Sequence, residues 1–394
     1  MPINYKQTAP LSENFTPSEL LARTEQLQQL LNRTLVPYDN SNVWIEGDSG
    51  FGKTLTTRFF MREVESRKAG KTFYIACERS LKNSLEELCR VQGLRIPRAS
   101  ISAVTIADEI LQKFPDAPRY IFILDEPEKV YKTTVSDIAN FVHPLYNHMV
   151  MQRKNFNIVF VSRDTQIRAS RYLPKDTLSR LRLQGIIFPR YVYPQVSKII
   201  TQRLNLVLDT DQYQRRAIIR ICQHIYRIGG DIRQALQILR HAIFDLAADK
   251  LTLEIAEQAI EWGKIEWWKA QLTERLPGPH WAFVAFIAAE LAMSDETEAK
   301  GESFVIDQQT VMKRYVEKCA ETGLKPLGAS SVYYIIDQID KRYGFFKQRL
   351  EGARASLLFE KNDRNHILKA GGEVDWSEIF AFEQPLQLTM SVTR

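Results

Sequence analysis

The sequence predicts an α/β domain built on a parallel sheet, then an all-helical region and a C-terminal module of three helices and a hairpin. Apolar runs of strand length alternate with helical patterns over residues 42–188, which is typical of parallel sheets buried on both faces. From 195 to 273 only helical spacing of apolar side chains recurs. A Pro-Gly-Pro break then precedes the last module. The expected domains are 1–192, 193–275 and 276–394.

The individual elements follow from local patterns along the chain. Leucines at helical spacing predict the first helix, and short apolar runs predict the strands. Ser330 precedes an apolar helical pattern and is predicted as an N-cap, while Glu351 and Gly352 are predicted to form the hairpin turn. The predicted strands are 42–46, 72–76, 120–124, 157–161, 186–188, 345–349 and 355–360, and the predicted helices are 18–35, 55–68, 84–92, 106–113, 195–207, 211–228, 231–248, 253–273, 280–292, 307–321 and 330–341.

Composition excludes several classes of protein. With 394 residues, 44% of them hydrophobic and 25% charged, the chain is neither a disordered protein nor a disulfide-knotted miniprotein. Its four cysteines form no CxxC pair, so we expect reduced thiols and no zinc site. Residues 1–15 lack the apolar core of a signal peptide, and the most apolar stretch, 281–293, is too short to span a membrane. A cytoplasmic protein without a membrane partner is expected.

Residues 47–54, Gly-Asp-Ser-Gly-Phe-Gly-Lys-Thr, match a phosphate-binding loop between a predicted strand and a predicted helix. The glycines let backbone N–H groups curl around the β- and γ-phosphates, and the positive end of the next helix points at the anion. Lys53 is expected to neutralise phosphate charge and the Thr54 hydroxyl to ligate Mg²⁺. The expected cofactors are therefore ATP or ADP and Mg²⁺. The nucleotide-binding residues predicted here are Gly47, Asp48, Ser49, Gly50, Phe51, Gly52, Lys53 and Thr54.

A second motif, Leu-Asp-Glu at 124–126, ends a buried apolar run. Ligands of parallel α/β sheets bind at the carboxyl ends of the strands. Asp125 is therefore expected to hold Mg²⁺ through water, and Glu126 to orient and deprotonate the attacking water. A plain loop-capping role for the acidic pair is the alternative.

Two arginines are candidates for contact with the γ-phosphate. Arg233 follows Gly-Gly-Asp at the start of a predicted helix, from which it would report the nucleotide state. Arg180 precedes the strand predicted at 186–188 and is a candidate to reach a neighbouring subunit's phosphate in trans. For Arg180 a solvated surface position is the alternative, because Lys175 and Arg182 compete for that role.

Taken in order, these motifs resemble the archaeal origin-recognition initiators, AAA+ ATPases related to the eukaryotic origin-recognition complex. The resemblance covers most of the chain and implies an α/β P-loop AAA+ core, a helical lid and a C-terminal winged-helix domain that binds DNA. It also implies a lead-in that packs over the adenine, recruitment of the replicative MCM helicase, subunit contacts through the ATPase face and a nucleoid location. Besides the phosphate loop, the matching motifs are Phe15-Thr-Pro17, Arg23-Thr-Glu25, Tyr74-Ile-Ala-Cys77, Leu124-Asp-Glu126, Val159-Phe-Val-Ser162, Phe188-Pro-Arg-Tyr191 and Gly230-Asp-Ile-Arg233.

The chain departs from that family at three places. The family's first sensor is usually an asparagine, whereas Ser162 here is followed by Arg163. Pro127 and Glu128 replace the usual residues after the acidic pair, and the initiator-specific helical insertion is matched only loosely, by residues 96–98 and Ser102. We therefore expect hydrolysis to be slow and regulatory, or impaired in a divergent paralogue.

The C-terminal module carries the predicted DNA contacts. In a winged helix the third helix enters the major groove and the hairpin touches the DNA backbone. Hydroxyls and arginines suit phosphate and base-edge contacts. The alternative is that the wing arginines form a solvated face, with Ile335, Ile336 and Ile339 in the core. The candidate residues are Ser330, Ser331, Tyr334, Lys347, Arg349 and Arg354.

Charge is unevenly distributed and leaves other functions open. The net charge is +6, but residues 151–220 carry +10 and residues 277–394 carry −3, with a basic window of +4 at 341–354. A signalling or mobile-element ATPase whose winged helix contacts protein is the second hypothesis, favoured by the acidic terminal region. A binding-only paralogue that retains ADP is the third, and Arg163 is its main support.

Overall fold

The computed structural model describes most of the chain up to residue 360. Its residues divide into two units, Met1–Ala259 and Ile260–Arg394. The three-part division of the chain expected from the sequence remains a proposal. The described residues are 7–35, 41–78, 80–131, 135–163, 175–247, 249–270, 279–291, 298–300, 303–321, 325–343, 347–351 and 354–360.

A parallel sheet of five strands forms the centre of the first unit. The strand order is β2-β3-β4-β1-β5, and every residue of β3 and β4 is buried. The predicted parallel α/β core is therefore confirmed, and its fifth strand begins three residues earlier than expected. The strands are β1 (Asn42–Glu46), β2 (Lys71–Ala76), β3 (Tyr120–Asp125), β4 (Phe156–Ser162) and β5 (Leu183–Ile187).

Helices cover the connections between these strands. The first helix begins at Thr24 and not at residue 18, because Ala22 has a left-handed φ of 60°. The helix at 135–151 was not predicted: Pro144 lies within it, and proline normally ends a helix. Nor were the helices at 128–131 and 175–181. The helices are α1 (Thr24–Thr34), α2 (Lys53–Ser66), α3 (Leu81–Gln92), α4 (Ala103–Lys113), α5 (Glu128–Tyr131), α6 (Val135–Met151) and α7 (Lys175–Leu181).

The helical region after the sheet differs from prediction in its boundaries. The helix expected from 211 begins at Arg215, because Gln212 and Gln214 instead form backbone hydrogen bonds with Leu251. The next helix ends at Arg240 and continues as a π-helical turn, His241–Leu246. The helices are α8 (Tyr193–Asn205), α9 (Arg215–Arg227), α10 (Ile232–Arg240) and α11 (Leu253–Ala270).

In the residues that the structure describes, the second unit contains the end of α11, three further helices and a four-stranded antiparallel sheet of order β6-β7-β9-β8. The third helix begins at Ala329, so the prediction of Ser330 as N-cap is wrong: the amides of Ser331 and Val332 donate to the Gly328 carbonyl. Strands β6 and β7 were not predicted. The elements are α12 (Pro279–Leu291), β6 (Glu298–Lys300), β7 (Ser303–Asp307), α13 (Gln308–Glu321), α14 (Ala329–Tyr343), β8 (Lys347–Glu351) and β9 (Arg354–Glu360).

The core of the second unit lies between its helices. Ile335, Ile336 and Ile339 of α14 are buried, as expected, together with Tyr315 of α13. The hairpin of β8 and β9 pairs Arg349 with Ser356. Helices followed by a hairpin match the predicted winged-helix architecture.

Two features bear on the chain's environment. The four cysteines all belong to the described residues, are buried and form no disulfide with one another. Within the described ranges, no helix combines the length and apolarity that a membrane crossing requires.

Candidate active site

The candidate site lies at the carboxyl ends of three adjacent strands. Strand β4 lies between β3 and β1, with Asp125 opposite Val161 and Glu46 opposite Ser162. The loop at 47–54 therefore leaves β1 beside the residues that follow β4 and β3. This is the edge of a parallel sheet at which ligands bind.

Glycines set the shape of the loop. Gly50 and Gly52 have left-handed φ values of 76° and 83°, which side chains other than glycine rarely adopt. A Cβ at Gly50 would lie 1.8 Å from Asp231 Oδ1, and one at Gly52 would lie 2.2 Å from the Tyr191 hydroxyl. The loop is therefore packed closely against Asp231, just before α10, and against Tyr191, two residues before α8, and a side chain at either glycine would clash.

Lys53 begins α2 and is buried against the loop. Its Nζ donates to the carbonyls of Gly47, at 2.5 Å, and Asp48, at 2.8 Å. Burial, together with the positive charges of Arg163 and Arg233, lowers the pKa of Lys53 to about 8. Three cations thus surround the loop and the end of helix α2, a field suited to a polyanion.

Thr54, Asp125 and Tyr74 form a hydrogen-bonded group on the floor of the site. The Thr54 hydroxyl donates to Asp125 Oδ2 at 3.0 Å, and the Tyr74 hydroxyl donates to the same oxygen at 2.5 Å. Asp125 Oδ1 is buried and has no hydrogen-bond partner among the described residues. Burial raises the pKa of Asp125, and the two hydroxyls oppose that shift. A hydroxyl beside an unsatisfied carboxylate oxygen is a donor set that suits Mg²⁺ and its bound waters.

Glu126 is held by two cations. Arg163 donates to its Oε1 and Lys129 pairs with its Oε2. Burial opposes ionisation, but these ion pairs outweigh it and hold the pKa of Glu126 below its usual value. The residue also has a left-handed φ of 54°, a strained conformation that is concentrated at functional sites.

Buried Glu128 positions Arg163. Its carboxylate accepts the Ser162 hydroxyl at 2.9 Å and the Arg163 amide at 3.0 Å. These bonds fix the chain immediately after β4, from which Arg163 reaches Glu126. The sequence did not reveal this pairing, although Arg163 and Glu128 had both stood out as departures from the family pattern.

Arg233 approaches the site from the helical region. The Asp231 carboxylate caps α10 by accepting the Arg233 amide at 2.9 Å, and Arg233 Nε lies 3.7 Å from the same carboxylate. Arg233 lines one pocket with Lys53, Thr54 and Glu126. The structure therefore brings the two predicted motifs and this arginine together.

The lead-in segment forms another wall of that pocket. Phe15, Pro17 and Leu21 line it together with residues of α8 and α10. Buried Arg23 anchors this segment: its guanidinium lies 3.8 Å from the centroid of the Tyr191 ring and donates to the Phe51 carbonyl at 2.9 Å. Sequence reasoning placed the lead-in here only through the family resemblance and did not foresee the role of Arg23.

The structure describes the side chains of some of the remaining predicted residues and not of others. Arg180 lies in α7, and its side chain is outside the described residues. Ser330, Ser331 and Tyr334 are exposed on α14, with Tyr334 54% exposed. Lys347, Arg349 and Arg354 lie in the strands β8 and β9, and their side chains are likewise not among those that the structure describes.

Several known proteins are similar to this chain in sequence. It is 26% identical to ORC1-type DNA replication protein 1 of Archaeoglobus fulgidus over 351 residues, 85% of this chain and 82% of that one. It is 29% identical to the Methanosarcina acetivorans protein of the same name over 252 residues, 60% of this chain and 58% of that one. This second match thus spans less than two thirds of the relative's length. No protein-family model matches the sequence.

Solved structures share the fold. The Aeropyrum pernix ORC1 protein in complex with DNA has a TM-score of 0.67 at 20% identity, covering 96% of this chain and 98% of that one. The Aeropyrum pernix ORC2 protein, in ADPNP–ADP complexes, has a TM-score of 0.64 at 17% identity, covering 96% and 99%. The predicted fold class and the resemblance to the origin-recognition initiators are both confirmed.

Proposed function

We propose, with the similarity to the ORC1-type DNA replication proteins as the premise, that this chain is an ATP-dependent initiator of DNA replication. It binds origin duplex DNA, helps to recruit the replicative MCM helicase and uses the ATP or ADP state as its switch. One observation carries the proposal. Lys53, Thr54, Asp125, Glu126 and Arg233 line one pocket in a chain similar to these initiators over 351 residues.

The phosphates of the nucleotide would lie in the loop 47–54. Backbone N–H groups and the first turn of α2 supply partial positive charge there. Lys53 would exchange its two carbonyl contacts for phosphate oxygens, and Arg233 would contact the γ-phosphate from the helical region. Loss of that phosphate removes a contact between the two parts of the unit, which makes the helical region the element that reads the nucleotide state.

Thr54 and Asp125 are the residues that would hold Mg²⁺. A bound Mg²⁺ would supply neutralisation of the phosphate charge. Tyr74 donates to Asp125 Oδ2, which would leave Oδ1 as the acceptor for the hydrated metal. Glu126 would orient and deprotonate the attacking water once it is released from Arg163. Arg180 would act in trans, in a homo- or hetero-oligomer joined through the ATPase face.

The pKa of Lys53 leads to a prediction for nucleotide binding. A base whose pKa is lowered to about 8 is charged below that pH and largely neutral above it, whereas bound phosphates restore the charge. ATP binding at about pH 8.5 should therefore take up about three quarters of a proton, and affinity should fall by up to about ten-fold per pH unit above 8. Titration calorimetry in buffers of different ionisation enthalpy measures this uptake, and no uptake at that pH would contradict the proposed contact.

The exposed face of α14 and the hairpin would contact the duplex. Ser330, Ser331 and Tyr334 are directed away from a buried core, which leaves their side chains available. Lys347, Arg349 and Arg354 add charge from the wing. The basic segment 151–220 offers a further surface for the polyanion near the ATPase site.

Removal of two wing charges should change the salt dependence of DNA binding. Lys347→Ala/Arg349→Ala should lower the slope of log affinity against log salt by about 2, because each lost phosphate contact contributes about 0.9. Arg314→Ala/Lys318→Ala is the matched control, since both charges already pair with Glu290 and Glu321. Fluorescence anisotropy at several salt concentrations measures the slope. Equal slopes in both variants would exclude the wing from the interface.

Footprinting tests the initiator function itself. Duplexes selected from a random pool with the full chain are probed with ATP, with ADP and without nucleotide. We expect a protected sequence whose extent depends on the nucleotide.

The absence of protection in every state would favour the second candidate, a signalling or mobile-element ATPase whose winged helix contacts protein, which the acidic terminal region supports. A protein that binds ATP but never turns it over would correspond to the third candidate, a paralogue that retains ADP.

A further inference from the structure

One wall of the pocket combines apolar side chains with a single buried charge. Phe15, Pro17, Ile199 and Leu236 line the pocket beside Arg203 of α8. A purine base has apolar faces and ring nitrogens that accept hydrogen bonds at its edge. Such a wall, apolar with few polar groups, is what binds a planar heterocycle and sets its orientation.

Arg203 is held in this wall by the lead-in segment. Its Nη1 donates to the Pro10 carbonyl at 3.2 Å and its Nη2 to the Phe15 carbonyl at 3.3 Å. The guanidinium lies 5.0 Å from the centroid of the Phe15 ring. Both hydrogen bonds are at or just beyond the long end of the ordinary N–H···O range, so they are weak bonds.

Within the described part of the chain, Arg203 has carbonyl acceptors and an aromatic neighbour but no counter-charge. Only 4% of the residue is exposed, and among the described residues no carboxylate pairs with it. Its Nε is also buried, and no described residue accepts a hydrogen bond from it. Burial lowers the pKa of Arg203 to about 10. A buried cation with an unsatisfied N–H is unfavourable, and an acceptor that enters the pocket would relieve it.

We propose that Arg203 is the residue that recognises the base, donating a hydrogen bond from its guanidinium to an unprotonated ring nitrogen of adenine. The proposal rests on the nucleotide-binding function proposed above and adds the residue that selects the base of the bound nucleotide. The phosphate loop supplies affinity for any nucleoside triphosphate. Arg203 supplies the selection, because a base without an acceptor at that position leaves the cation unsatisfied.

The test replaces the ring nitrogens of ATP one at a time. The full chain is titrated with ATP and with its 1-deaza, 3-deaza and 7-deaza analogues. One of the three analogues should bind about ten-fold more weakly than ATP, the loss expected for one hydrogen bond to a charged donor, while the other two bind within about two-fold. Equal affinity for all three analogues and ATP overturns the proposal without any variant being made. Failure to bind ATP at all instead overturns the proposed function.

Two variants separate recognition of the base from support of the fold. The analogue that binds wild type more weakly than ATP should bind Arg203→Met with the same affinity as ATP. Loss of this affinity difference would show that the replaced ring nitrogen and the Arg203 side chain interact. Gln202→Ala is the matched control, since Gln202 lines the same pocket but donates to the Glu19 carbonyl, and it should keep the full affinity difference. If Arg203 were merely structural, its replacement would weaken every nucleotide equally and leave that difference in place.

Discussion

Lys53→Ala is expected to lower ATP affinity by about 100-fold while the protein stays folded. Lys53 supplies a charged donor to the phosphates, and a hydrogen bond to a charged partner contributes about 1.5–3 kcal/mol. The remaining cations cannot substitute, because Arg163 is engaged by Glu126 and the proposed contact of Arg233 with the γ-phosphate is already part of the wild-type affinity. Titration calorimetry with ATP and Mg²⁺ measures the affinity.

The fold should tolerate this change because, among the described residues, the Lys53 amine bonds the carbonyls of its own loop and no distant element. Its Nζ donates to the carbonyls of Gly47 and Asp48. Lys113 offers a matched control, since its Nζ likewise donates to two backbone carbonyls, of Gln92 and Gly93, outside the pocket. Lys113→Ala should bind ATP normally. If Lys53→Ala also bound ATP with wild-type affinity, the site assignment would be wrong.

The sequence predicts the parts of the site that local motifs determine. The loop 47–54 and the acidic pair at 125–126 each end an apolar strand, and parallel strands of one sheet bring such ends to one edge. That is why Thr54 and Asp125, 71 residues apart, are within 3.0 Å of each other. The fold class follows from the same alternation of strands and helices.

The parts that the sequence did not reveal depend on strand order and on distant contacts. Arg163 meets Glu126 because β4 lies next to β3 in the sheet, and no local pattern states which strands are neighbours. Arg23 and Arg203 are buried by segments 166 and 193 residues away in sequence. Arginine is ordinarily a surface residue, so its burial here could not be read from spacing or composition.

Glu126→Gln is expected to slow single-turnover ATP hydrolysis by about 100-fold or more, with ATP affinity changed by less than about three-fold. General-base catalysis contributes about 10²–10⁴-fold, and glutamine cannot accept the proton. Affinity should persist because the phosphates are held by the loop and Lys53. Rapid-quench hydrolysis with enzyme in excess measures the rate. An equal, measurable rate in both proteins would contradict the role of Glu126 as the base, whereas no turnover in the wild type would support the ADP-retaining paralogue.

Arg163 determines whether Glu126 is available for this step. In the wild type Glu126 is engaged by Arg163 and by Lys129, which withholds the carboxylate from water and predicts a slow rate. Arg163→Asn removes one of the two ion pairs and should raise the single-turnover rate by a few-fold, a modest gain because the Arg163 side chain is 43% exposed and solvent weakens the pair. The double variant Arg163→Asn/Glu126→Gln should be as slow as Glu126→Gln alone, because the accelerated route still requires the carboxylate. A double variant that kept the higher rate would show that the water is activated by another group, and Glu126 would then only hold Arg163 in place.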